Sequence, residues 1–202
     1  MTDLPRTCAT GVMAMPEVLA ELSDTIRPIS RREFNAWGAD GWFDDERVEL
    51  IDGVIVAMAA EGGPHLKVVM WLTNHFARHL DPDRMVGVSH PYAVSEYSQP
   101  VPDLAIVRTA DFHAITDAVA AAELVVEVAH SSRRRDLVVK ARLYAEAAVP
   151  EYWVLDLVQR RLVVHTDPVD GAYTTVDTTS EDAAVEVLGV TVPLPTVFSL
   201  TS

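Results

Sequence analysis

Residues 124–129, Leu-Val-Val-Glu-Val-Ala, constrain the fold more than any other stretch of the chain. Five of the six are apolar and they do not alternate with polar residues. That is the pattern of a strand covered on both faces. The segments C-terminal to it fit such a setting: "RDLVVKARLYAEAA" reads as a helix and "EYWVLD" as another strand. The exception within the first strand is Glu127. A carboxylate in a dry strand is costly unless it is paired, protonated or bound to a cation, so this position asks for a partner.

The rest of the chain fills out a sheet with helices packed on it. "SRREFNAW" has Ser30 three residues before Glu33, the spacing of a capping box, and opens a short helix. "RVELIDGVIVAM" is two β-prone runs joined at Asp52-Gly53, a hairpin signal. From Pro64 to Leu80, apolar residues Val68, Val69, Leu72, Phe76 and Leu80 recur at helical spacing. An extended stretch from Met85 to Glu96 and a short strand in "VPDLAIV" precede a loop or weak helix over 109–122. "RLVVHT" and "AYTTVD" add strands, with Pro168, Asp170 and Gly171 in the turn between them, and "VTVPLPTVF" closes the chain. Strands flanked by helices predict an α/β (α+β) domain with a mixed β-sheet. At 202 residues with 49% hydrophobic content, one core suffices. We expect a tail over 1–25 and a single domain over 26–202.

Three further residues break burial preference near this strand. On a helical wheel of about 100° per residue, Lys140 projects from the middle of the packing arc formed by Leu137, Ala141 and Tyr144. Arg135, Arg142 and Glu146 fall on the opposite side. Lys140 is either a lysine whose stem covers apolar surface or the partner of an inward carboxylate. Asp103 stands at the mouth of an apolar strand directly after Pro102, able to bond backbone amides or to face a neighbouring strand end. Strand alternation sets Glu49 opposite Val48 and Leu50; taken alone, it reads as a solvated edge residue. Together, three carboxylates and a lysine form a unit that suits a hard divalent cation such as Mg²⁺ and phosphodiester chemistry.

Other candidates fare worse. His75 and His79 are spaced i, i+4, but Phe76 stands where a zinc protease has its glutamate. Ser131 and Ser132 lack nucleophile-elbow glycines, and no glycine-rich phosphate loop is present. "RRR" at 133–135 reads as a solvated helix start, or as a contact to backbone phosphates if it lies beside a phosphodiester site.

The order "PD", a strand with an "E-V" core, then lysine resembles the PD-(D/E)XK nuclease superfamily. More narrowly, "ELIDGVIV", "PH" before a helix, "QPVPDLAIV", "LVVEVAHSS", "RRDLVVKARLYAEAAVPEYWVLD" and "RRLVVH" resemble the bacterial "putative restriction endonuclease" family, formerly a domain of unknown function. The resemblance runs from about residue 30 to 200. It implies a restriction-endonuclease-like fold, Asp103 and Glu127 as ligands of Mg²⁺ or Mn²⁺, Lys140 as the catalytic lysine and Glu49 as an accessory acid. His65 matches a polar position at a helix start, where it either touches phosphate or is simply exposed. Two departures stand out. The superfamily's lysine position, two residues after the glutamate, is Ala129, so the lysine comes from the following helix. "QPVPD" also carries two residues more than the family's "QPD".

The resulting expectation is a metal-dependent endonuclease acting on DNA, with a catalytically inactive nuclease-fold scaffold as the alternative. The net charge of −14 repels a phosphate backbone over most of the surface, so DNA binding needs a local basic patch or bound cations. A homodimer fits a duplex with two strands to cut, and the apolar C-terminal strands offer a pairing surface. The one cysteine, Cys8, cannot form an internal disulfide. No apolar run reaches the roughly 18 residues of a membrane helix, and the first twenty residues lack a secretory pattern. These features point to the cytoplasm.

Overall fold

The computed structural model describes residues 26–201 except 113, 114 and 116; Cys8 and the expected tail lie outside the described residues. Ser30 opens α1 (Arg31–Ala39) with both bonds of a capping box. Its Oγ accepts from the Glu33 amide, and the Glu33 carboxylate accepts from the Ser30 amide. These reciprocal bonds satisfy donors that a helix start leaves unpaired. β1 (Val48–Ile51) and β2 (Val54–Ala57) form the expected hairpin. Its turn has φ of 48° at Asp52 and 76° at Gly53, the paired positive values that match strand twist in a two-residue turn. α2 (Gly63–His79) has Pro64 in its first turn and buries Val68, Val69, Leu72 and Phe76, the stripe that its spacing marks out.

The main sheet is built from β3 (Arg84–Val88), β4 (Leu104–Arg108), β5 (Leu124–Ala129), β6 (Glu151–Asp156), β7 (Arg161–Val169) and β8 (Ala172–Ser180), hydrogen-bonded in that order. α3 (Thr109–Phe112) is a single turn after β4. β5 is buried at all six positions because strands flank it on both sides and layers cover both faces. It runs antiparallel to β4 and parallel to β6. A parallel step needs a crossover, and the helical stretch after β5 makes it. That stretch is not uniform: a π-helical segment, Arg135–Lys140, precedes α4 (Ala141–Glu146).

Alternation along the central strands divides the core in two. Leu104, Ile106, Leu124, Val126 and Trp153 pack with α2 and the C-terminal segment. Ala105, Val107, Val125, Tyr152 and Val154 pack with Ala141 and Tyr144 of the crossover. Glu127 belongs by alternation to this second face.

The structure refines the sequence reading toward the C-terminus. Pro168 lies within β7, opposite Tyr173, and the turn is Asp170-Gly171, both at positive φ. The β6 pairing of β7 ends at Thr166, so the missing amide of Pro168 breaks no ladder on that side. "VTVPLPTVF" is not one strand. β9 (Ala184–Val187) and β10 (Val190–Pro193) form a hairpin, and α5 (Leu194–Ser199) comes next with Pro195 in its first turn. Val192, Leu194, Val197 and Phe198 are fully buried in the first core. Among the C-terminal strands expected to offer a pairing surface, β10, with the helix after it, buries these residues in the chain's own interior, while Val169 of β7 and Val176 of β8 remain exposed. Among the described residues, no helix is long and apolar enough to cross a membrane.

Candidate active site

The register between β4 and β5 pairs Leu104 with Val126, so Asp103, one residue earlier, stands across from Glu127. Pro102 ends the approach, and the Asp103 carboxylate is fixed by the Val128 amide, which donates to its Oδ2 at 2.7 Å. Both readings of Asp103 hold at once: it bonds a backbone amide and faces the neighbouring strand. Asp103 and Glu127 line the same cavity of about 130 Å³, with Lys140, His65, Arg135 and Asp136.

Lys140 is the partner that Glu127 requires. Its Nζ donates to Glu127 Oε1 at 2.8 Å and lies 3.2 Å from Glu49 Oε2, with the lysine side chain 3% exposed. The Tyr144 hydroxyl also donates to Glu127 Oε1, at 3.1 Å. Glu49 is fully buried, which overturns the reading of it as a solvated edge residue. The hairpin lies against the crossover, and Glu49 Oε2 also accepts from the Val101 amide at 3.3 Å. Burial pushes the Glu127 carboxyl well above its ordinary pKa, although Lys140 opposes this; Asp136 and Asp103 push it the same way. Burial alone would pull Lys140 down, but the charges of Glu127, Glu49 and Asp136 outweigh it and raise the lysine. Lys140 therefore stays an ammonium, while Glu127 holds a proton more readily than a free carboxylate does.

The π-helical segment brings in two further residues, Arg135 and Asp136. A wheel of α-helical period puts Arg135 on the wet side. Bonding of i→i+5 type instead sets Arg135 one turn below Lys140, on the same face. Its Nε is buried, makes no hydrogen bond, and lies 3.5 Å from Glu49 Oε1, itself buried and without a hydrogen-bond partner. Asp136 is 1% exposed and accepts from the Ser132 hydroxyl. Burial raises its pKa against the pull of Lys140. Nothing in residue spacing announces a π turn, so α-helical periodicity does not find Arg135; Asp136, four residues before Lys140, falls on Lys140's side of an α-helical wheel as well. The "RRR" run is accordingly not a solvated helix start as a whole. Arg133 binds the fully buried Asp156 at 2.8 Å, Arg134 is exposed, and Arg135 faces the cavity.

His65 sits in the first turn of α2 and is not an exposed helix-start residue. Its Nε2 is 3.1 Å from Asp103 Oδ2, and its Nδ1 is 3.6 Å from Glu61 Oε2. Burial lowers its pKa, but the Asp103 hydrogen bond and the charges of Asp103 and Glu61 prevail and raise it. Among the described residues, Glu61, His65 and Asp103 form a group able to hold a metal ion, with ligand atoms all within 4.8 Å of one another. Glu61 carries no signal in the sequence beyond its place before the helix. His75 Nε2 and His79 Nδ1 bond the backbone carbonyls of Thr191 and His75 respectively.

A sequence model of the Uma2 family, described as "putative restriction endonuclease", matches residues 32–198. The chain belongs to the Uma2 family. No curated protein matches it. Among solved structures it is similar to a crystal structure of "a putative nuclease belonging to DUF820" from Anabaena variabilis. The TM-score is 0.70 at 16% identity, over 87% of this chain and all of the other. At that identity the likeness establishes the fold: a nuclease-like mixed sheet flanked by helices. The description of the Uma2 family supports a nuclease reading, and in this chain Asp103, Glu127 and Lys140 meet as buried polar groups at one cavity.

Proposed function

We propose that this protein is a divalent-metal-dependent endonuclease that hydrolyses DNA phosphodiester bonds at the cavity between β4, β5 and the crossover. The observation that carries the reading is convergence. Asp103, Glu127 and Lys140 come from separate parts of the fold and meet as buried groups around one opening, with the buried Glu49 3.2 Å from Lys140.

The two carboxylates, taken by themselves, fit a hard cation. Asp103 and Glu127 offer carboxylate oxygens, and the acids Glu49, Glu61 and Asp136 lie nearby with Lys140 and Arg135. Asp103 and Glu127 would hold Mg²⁺ or Mn²⁺. When bound, such an ion lowers the pKa of coordinated water and neutralises charge on a phosphodiester. Lys140 retains its proton, so it serves as a fixed positive charge that orients Glu127 and offsets developing negative charge, not as a base. Glu49 anchors the lysine from the other side. Arg135, at the same face, offers a guanidinium to a non-bridging phosphate oxygen. A cavity of about 130 Å³ is smaller than the roughly 300–1,000 Å³ pockets that enclose small ligands. That suits a site that engages one phosphate of a polymer lying largely outside.

Cutting both strands of a duplex calls for two such cavities, hence a pair of copies, and a cytoplasmic location gives access to DNA. A second reading, a nuclease-fold scaffold without catalysis, is favoured by the net charge of −14. Supercoiled plasmid incubated with the purified chain and Mg²⁺ or Mn²⁺ separates them. Metal-dependent nicking that is lost in Asp103→Asn supports the endonuclease. Equal nicking by wild type and variant would refute it, and absence of both nicking and ion binding in folded protein would favour the scaffold.

A further inference from the structure

We infer that Glu61 and His65 complete the ion site on Asp103, and that this nitrogen ligand makes the protein select late first-row ions such as Co²⁺ over Mg²⁺. The inference rests on Asp103 being an ion ligand, as proposed above, and adds the chemistry of the ion.

Three observations carry it. First, one nitrogen and two carboxylates lie with their ligand atoms within 4.8 Å of one another, close enough for a single ion to reach all three. Second, the imidazole is held between two acids but satisfied by only one. Nε2 meets Asp103 Oδ2 at 3.1 Å, whereas Nδ1 is 3.6 Å from Glu61 Oε2, buried and without a hydrogen bond. A contact of 3.6 Å is beyond hydrogen-bond range, so a doubly protonated imidazole bridging the two acids leaves one side unmet. Third, Glu61 divides its oxygens. Oε1 pairs with Arg47, and Oε2 is the atom turned toward His65. Arg47 thus fixes the carboxylate while leaving an oxygen to bind.

The ligand types determine selectivity. Mg²⁺ prefers oxygen and keeps much of its water. Imidazole nitrogen strengthens binding along the first-row series from Mn²⁺ toward Co²⁺ and Ni²⁺. The i, i+4 placement of Glu61 and His65, at the loop end and first turn of α2, presents both from one helix start. Asp103 enters from the sheet. The ion would therefore tie α2 to β4.

The test uses the metal-free full chain, titrated by calorimetry with MgCl₂, MnCl₂ and CoCl₂. It is accompanied by pulsed electron spin resonance of the Mn²⁺ form to detect coupling to ¹⁴N. Wild type should bind Co²⁺ at least about tenfold more tightly than Mg²⁺. His65→Gln should lose on the order of tenfold or more in Co²⁺ affinity, change little in Mg²⁺ affinity, and lose the ¹⁴N coupling. If His65→Gln does not fold by circular dichroism, Glu61→Gln should still weaken Co²⁺, and the wild-type coupling still reports nitrogen ligation. Absence of ¹⁴N coupling in wild type overturns the inference. So does coupling that persists in His65→Gln, which would arise from another histidine such as His75 or His79. Ion binding that falls in Asp103→Asn but not in His65→Gln removes this inference and leaves the Asp103 reading intact. Absence of any ion binding in folded wild type removes both.

Discussion

Replacing Lys140 with methionine isolates the charge cluster from its packing. Methionine keeps an unbranched stem of similar length, so the change removes mainly the ammonium that touches Glu127 Oε1 at 2.8 Å and Glu49 Oε2 at 3.2 Å. Lys140 is 2% exposed, Glu127 4% and Glu49 fully buried, so water cannot replace the lost partner. Leaving a buried charge uncompensated costs about 3–5 kcal/mol. At roughly 2–4 °C per kcal/mol for a domain of this size, the melting temperature of Lys140→Met should fall by about 6–20 °C near neutral pH. The deficit should depend on pH. Burial already raises the Glu127 carboxyl well above its ordinary value of 4.5, and Lys140 is its main opposing influence, so losing the lysine raises it further. A carboxyl with a raised folded pKa contributes stability that is present below the unfolded value and lost as pH climbs through the folded one. Thermal melts followed by circular dichroism should therefore show a small wild-type-to-variant gap near pH 4.5 that widens toward about pH 8. Lys140→Met/Glu127→Gln should close the part of the gap at high pH that comes from Glu127, leaving the part that comes from Glu49, which keeps Arg135 at 3.5 Å. A gap that is absent, or constant across this range, would refute the buried cluster.

The capping box gives a separate test at low pH. Its Ser30 bonds, with Arg27, hold the Glu33 carboxyl down to about 2 from 4.5. The associated stability is present above 4.5 and lost as pH falls through about 2, and acid melts of Glu33→Gln should lack that component. Ser30→Ala should cost about 0.5–2 kcal/mol in urea unfolding at neutral pH. Gly53→Ala should destabilise by more than the roughly 1–2 kcal/mol of a left-handed non-glycine residue, because its Cβ would stand 2.3 Å from Pro28 Cβ. Urea unfolding that leaves Gly53→Ala unchanged would contradict the turn.

Legibility of the fold in the chain depends on the period of each element. β5 is readable because covered strands are apolar throughout, and its one violation, Glu127, marks the site. α2 is readable from a 3.6-residue stripe, and the β1–β2 turn from Asp52-Gly53. A wheel of α-helical period sets Lys140 inward although it is the wrong period for residues 135–140. The placement holds because Lys140 borders α4, whereas Arg135, five residues back, is carried to the opposite face. Glu49 reads wrongly as solvated because alternation reports which side of a strand a residue occupies, not whether another element covers that side. The hairpin of β1 and β2 is covered by the crossover through long-range contacts to Lys140 and Arg135, and no local pattern encodes those. Glu61 is invisible for a similar reason: it is an acid of ordinary local context, given meaning by His65 and Asp103. Asp136, by contrast, lies at i, i+4 spacing from Lys140 and shares its side of an α-helical wheel. The C-terminal hairpin escapes notice because Leu188 and Gly189, both at positive φ, form a turn whose first residue carries no turn propensity.

The most direct measurement of the central claim is the anomalous scattering of Mn²⁺ soaked into crystals of the wild-type chain. Ligation by carboxylates of both Asp103 and Glu127, within reach of the cavity that Lys140 lines, is the predicted result. No anomalous peak at saturating Mn²⁺, or peaks only on surface acids remote from Asp103, would contradict it.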